Sequence, residues 1–168
     1  MKAIVYTSNS GFTKHYAELL SAETGLPTYS LEKAGGKLNA GAEIIYMGWL
    51  MAGIVKGYKK AARRYLVKAV CAVGMACPSD KLIADTREKH HITGAEVFCL
   101  QGGFDMDKLH GIYKIMMKTM VKTVGKKLDA KPDKTGEEAE MLDMLKNGGD
   151  MVCVQNLSGV IAWYRGQA

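Results

Sequence analysis

The chain has 168 residues, 48% apolar and 24% charged, and its 23 Lys and Arg outnumber its 17 Asp and Glu to give a formal charge of +6. At that length a single domain, 1–168, can bury about 70% of the surface its unfolded chain exposes, so no disulfide or metal staple is required. No apolar run approaches the roughly 20 residues of a membrane span, the start turns polar too soon for a secretory signal, and no nucleic-acid motif accompanies the charge. The expected location is the cytoplasm.

Ala3 to Tyr6 are apolar without alternation, the pattern of a strand buried on both faces of a parallel sheet. The run ends in Thr7, Ser8, Asn9, Ser10, Gly11, Phe12 and Thr13, where Gly11 lets the backbone turn tightly and bring its N–H groups up to a ligand. Tyr16, Ala17, Leu19 and Leu20 then recur at helical spacing, so the loop sits at the positive end of a helix. A Ser or Thr helix cap accounts for one such side chain. Five hydroxyl or amide side chains in seven residues exceed what a cap needs and point to a phosphate site.

The loop has neither the Walker spacing nor Gly-x-Gly-x-x-Gly. Ser8-Asn9-Ser10-Gly11-Phe12-Thr13 resembles the flavodoxin phosphate loop, Thr/Ser-x-Thr/Ser-Gly-x-Thr. That resemblance implies bound FMN, with residues 7 to 13 around its monophosphate. The positive charge sets the chain apart from the electron-carrying flavodoxins, which are generally acidic.

Gly25-Leu26-Pro27 ends the first helical pattern, and Thr28 to Leu31 reads as a second strand. The glycine-rich stretch Lys33–Gly41 reads as a minimal connection to a third strand, Ala42–Gly48. An apolar loop follows, Trp49, Leu50, Met51, Ala52 and Gly53, in which Trp49 either stands beside a crevice to meet a planar ring or belongs to the core. Ile54 to about Leu66 reads as a helix, with Lys56, Lys59, Lys60, Arg63 and Arg64 on one face. Val67–Gly74 is the fourth strand, left through Met75, Ala76, Cys77 and Pro78. Ser79 can cap a helix to about Ile92, and Ala95–Leu100 is the fifth strand, closed by Gln101-Gly102-Gly103.

Five short apolar strands, separated mostly by helices and without a tight hairpin, predict an α/β fold. It is a doubly wound parallel sheet in the flavodoxin-like order 2-1-3-4-5. The loops after strands one, three and four then surround the switch point, which places Trp49–Gly53 with Met75, Ala76 and Cys77 beside a ligand ring. Neither ring-side loop carries an acid, which is expected to ease full reduction of a bound flavin. Cys71, Cys77, Cys99 and Cys153 lie singly in apolar runs, as buried thiols in a reducing compartment do. Combined with His90 and His91 they match no common zinc spacing.

From Phe104 to Lys127 an amphipathic helix is predicted. Leu109, Ile112, Tyr113, Met116, Met117, Met120, Val121 and Val124 share one arc, while Lys108, Lys114, Lys118 and Lys122 share the other, with Ile115 as the exception. Packing on the sheet and docking on an anionic membrane surface or an acidic partner are both open for it. Gly103-Phe104-Asp105 and His110 to Lys118 loosely resemble the helical segment that menaquinone-dependent protoporphyrinogen dehydrogenases carry after their fifth strand. This resemblance implies an FMN-dependent oxidoreductase that passes electrons between a small substrate and a quinone or redox partner. A non-enzymatic electron carrier and a flavin-free phosphate-binding module are the alternatives. No catalytic triad or paired-carboxylate site is legible.

Asp129–Gly136 reads as loop, and Thr135 and Glu138 have capping-box spacing for a helix to about Leu145. Gly148-Gly149 ends it, Met151–Val154 reads as extended, and Asn156 can cap a last helix carrying Leu157, Val160, Ile161 and Tyr164.

Overall fold

Unalternating apolar runs become the inner strands of a parallel sheet, because helices cover both of its faces. The computed structural model describes residues 1–167, at residue 137 through the backbone alone. In chain order the sheet region comprises β1 (Ala3–Thr7), α1 (Phe12–Thr24), β2 (Thr28–Ser30), α2 (Leu31–Ala34), β3 (Glu43–Met51), β4 (Ile54–Val55), α3 (Tyr58–Arg64), β5 (Leu66–Gly74), α4 (Asp80–His90) and β6 (Glu96–Gln101). The order β2-β1-β3-β5-β6 is parallel throughout, the doubly wound flavodoxin-like arrangement expected from the apolar runs.

Successive residues feed opposite cores. Ile4, Ile45, Met47 and Cys71 join Tyr16, Leu20, Leu157 and Val160 on one face. Val5, Ile44, Tyr46 and Val70 join Ala61, Tyr65, Ile92 and Val97 on the other. Each fully buried aliphatic side chain contributes roughly 1.5–3 kcal/mol by leaving water.

Several local expectations change. Trp49, Leu50 and Met51 are the end of β3, and Ile54–Val55 is no helix but an antiparallel strand, β4, with Leu50 opposite Val55 and Met51 opposite Ile54. The turn between them has positive φ at Ala52 (50°) and Gly53 (75°), which gives the twist that a tight hairpin requires. The helix therefore begins only at Tyr58, after Gly57 at φ 82°. Leu31 opens α2, whose N-terminus the Ser30 side chain caps, so it does not extend β2. The Ser79 cap holds: its hydroxyl accepts from the Leu82 N–H at 3.2 Å.

Phe104 lies in a short strand, β7 (Gly103–Phe104), and the amphipathic helix α5 starts later and runs over Gly111–Asp129. α6 (Gly136–Asn147) opens on the Thr135/Glu138 capping box, and β8 (Gly149–Asp150) pairs antiparallel with β7. The chain then forms a 3-10 turn over Val154–Leu157 and α7 (Ser158–Arg165). Asn156 lies inside that turn and caps nothing. Its side-chain amide donates to the Tyr16 hydroxyl at 2.7 Å and to the Met151 carbonyl at 2.9 Å. Among the described residues no helix is long and apolar enough to cross a membrane.

Candidate functional site

The hydroxyl-rich loop between β1 and α1 divides its donors between two tasks. Gly11 stands at φ 99°, where only glycine is at ease, and the Ser8 hydroxyl accepts from the Gly11 N–H at 3.2 Å. The Asn9 carboxamide oxygen accepts from the His110 N–H at 3.4 Å, which ties the loop to the start of α5. Thr7 pairs with the Tyr46 hydroxyl at 2.8 Å. These three side chains hold the loop. Ser10, Phe12 and Thr13 line a crevice instead. The first helical bond of α1 runs from the His15 N–H to the Gly11 carbonyl at 2.9 Å. The N–H groups of Phe12, Thr13 and Lys14 precede it and have no protein acceptor among the described residues.

The crevice encloses about 260 Å³ at the carboxyl ends of the central strands. Ser10 and Thr13 form one end of it, Trp49 to Gly53 another wall, and Gly74, Met75 and Ala76 a third. The sequence thus identified three of its sides. Gly102 to Asp105 supply a further side. A Cβ on Gly102 would lie 2.8 Å from a methyl of Val73, and one on Gly103 2.7 Å from the Phe12 ring, so this strand end approaches as closely as it does only because both are glycine. α5 covers the opening with Tyr113, Met117 and Met120, and Met141 of α6 reaches the same space. The Tyr113–Met117–Met120 stripe was legible as an apolar arc, whereas nothing in the sequence marked Met141.

Trp49 is half-buried, with Tyr113 edge-on to its ring at 4.8 Å. Lys56 lies over both rings, 5.8 Å from that of Trp49 and 5.5 Å from that of Tyr113. It therefore does not extend the exposed basic stripe of α3. The two ring-side loops carry no acid, but Asp105, from the segment after β7, also lines the crevice. The Asp107 backbone N–H, and then Lys108 at 3.3 Å, hold the Asp105 carboxyl below its ordinary value.

Cys77 lies outside the crevice. It lines a neighbouring cavity of about 520 Å³ that shares Met75, Ala76 and Met141 with the first. There the Gln101 amide lies 3.4 Å from its sulfur, and the thiol donates to Glu140 at 3.6 Å. Cys71 is fully buried, and burial pushes its thiol far above the usual range. Among the described residues no three His, Cys, Asp or Glu side chains gather as metal ligands. Comparisons with protein-family models, curated proteins and solved structures gave no match.

Proposed function

We propose that the crevice binds FMN and that the chain is a flavodoxin-type oxidoreductase, passing electrons between a small substrate and a quinone or redox partner protein. One observation carries the reading: Ser10 and Thr13, at the positive end of α1, open onto the same cavity as Trp49 to Gly53 and Gly74 to Ala76. An anion site and an apolar slot are thereby joined at the switch point, where doubly wound sheets bind their ligands.

The residues fit the two ends of this cofactor. The loop from Thr7 to Thr13 contains no acid and offers two hydroxyls and three first-turn N–H groups to a phosphate. The cavity, about 260 Å³, is smaller than the roughly 300–1,000 Å³ of a whole small-molecule site. That size suits a ligand whose ring alone enters while its phosphate end lies along the loop. When bound, the flavin supplies the electron-transfer chemistry.

The chain's own residues bind, shield and bias the ring. Trp49 and the Met51–Gly53 turn offer it an apolar wall, and Tyr113, Met117 and Met120 exclude water from above. Lys56 adds positive charge beside a crevice whose one carboxylate is already paired with Lys108, and this favours the added negative charge of a reduced ring. The adjoining 520 Å³ cavity supports the enzyme over the bare carrier, since a carrier needs no small-molecule site next to its ring.

The absorption spectrum of the purified protein, followed by titration with FMN and with riboflavin, tests the proposal. Replacing Ser10 and Thr13 together by Ala should weaken FMN at least tenfold and leave riboflavin nearly unchanged. A hydrogen bond to a charged group is worth about 1.5–3 kcal/mol. Equal losses for both ligands would remove the phosphate assignment.

A further inference from the structure

The two sides of α5 face different surroundings. Tyr113, Met117 and Met120 turn into the crevice, and Met117 and Val121 pack on the small core of Phe104, Leu109 and Met144. Ile115 lies on the opposite side and is 67% exposed, and Ile112 and Met116, read from the sequence as part of the packed arc, lie at its flanks and are 66% and 46% exposed. Three large apolar side chains within the first two turns thus stand a half to two thirds in water. Farther along, Lys118, Lys122 and Lys126 repeat at four-residue spacing on the side of Ile115, with Lys127 next to them. None of these four lysines makes an ion pair among the described residues, and the one acid of the helix, Asp129, is taken by Lys146 at 2.8 Å.

We infer that this outer face of α5 seats the protein on an anionic lipid bilayer. A bilayer meets both chemistries on one face, with headgroup phosphates for the cations and the acyl boundary for the apolar groups. The two chemistries are displaced along the helix and not set on opposite sides. The N-terminal end, next to the crevice, dips in, and the lysine-bearing end rides on the headgroups. The basic residues of α3 belong to a different surface: Arg64 is spent on the Gly35 carbonyl at 2.8 Å, and Lys59, Lys60 and Arg63 lie on a helix packed against the sheet. The inference stands on the exposed face alone and holds whether or not the crevice binds a flavin.

Flotation of the full chain with vesicles of phosphatidylglycerol and phosphatidylcholine, against phosphatidylcholine alone, at low and high salt, is the test. The protein should float with the anionic vesicles at low salt. K118E/K122E/K126E should lower partition by on the order of a hundredfold, and I112S/I115S by on the order of tenfold. Lys59→Glu with Lys60→Glu should change it little. All these side chains are exposed, and circular dichroism checks each fold. As a readout within an otherwise unaltered chain, the fluorescence of the Ile115→Trp variant should shift to the blue on adding anionic vesicles. No flotation at low salt, an unshifted emission from the Ile115→Trp variant, loss on the α3 substitutions in place of the α5 ones, or capture of an acidic protein without vesicle binding would each overturn the inference.

Discussion

The Tyr46 hydroxyl lies 2.8 Å from the Thr7 hydroxyl and 2.6 Å from the Lys56 carbonyl. A carbonyl only accepts, so the Tyr46 proton goes to Lys56 and the Thr7 hydroxyl donates in turn. Burial pushes the phenol up to about 12, so the group stays protonated at any ordinary pH. Tyr46→Phe leaves both partners short of a bond and should cost about 1–3 kcal/mol, read from the urea midpoint. Because Lys56 lies over the rings of Trp49 and Tyr113, which line the crevice, ligand affinity should fall with it. Gly11→Ala tests the loop differently. A Cβ there meets nothing within 4 Å, so its expected cost of about 1–3 kcal/mol is backbone strain at φ 99°. Thermal unfolding should register it. At this scale the sequence picked out residues that gather around one crevice, Ser10, Thr13 and Trp49 among them, together with others that do not line it. Thr7 has the right chemistry for a phosphate donor, but its partner is a tyrosine 39 positions away, which no local pattern discloses.

The β3–β4 hairpin, one wall of the crevice, is clamped by the last turn of α4. The Lys89 ammonium donates to the Ala52 carbonyl at 3.1 Å, and the Val55 N–H donates to His90 Nε2 at 2.8 Å. His90 is buried, and its Nδ1 has no hydrogen-bond partner among the described residues. Burial first, then the charges of Lys59, Lys89 and His91, hold it below the ordinary histidine value. The folded chain thus binds this proton less readily than the unfolded one. Stability from a neutral His90 is fully present at high pH and should fall as pH drops below about 6.5. Urea midpoints measured from pH 8 to pH 5 should decline for the native chain and flatten in His90→Gln. A midpoint that holds constant to pH 5 would contradict the clamp. The hairpin escaped the sequence because alanine seldom adopts positive φ, so Ala52-Gly53 carries no turn signal, and the lysine run beyond it extended the helical pattern backwards. The capping box at Thr135 was legible because both of its partners lie within four residues.

Across the whole molecule, the sheet order followed from apolar runs and helix lengths, which depend on burial alone. The position of α5 did not, because periodicity says that a helix has an apolar side without saying what that side covers. α5 and α6 rest on a small core of Phe104, Leu109 and Met144, while the sheet has extended cores on both faces. Hydrogen exchange should therefore run faster in α5 than in β1, β3 and β5, and added FMN should slow it in α5. Protection of α5 equal to that of the sheet would show that it is no separable cover. The tie between Tyr16 and Asn156 has a consequence for synthesis. One sheet face is closed by α2, α3 and α4, all made before residue 91, but the other needs Leu157 and Val160, both fully buried, and Trp163 against Phe98 at 6.1 Å. Domains form as the ribosome releases them, N-terminal parts first. A chain in which α7 has not yet emerged carries a finished sheet with part of one apolar face bare, and that face closes only when Leu157 and Val160 dock on it.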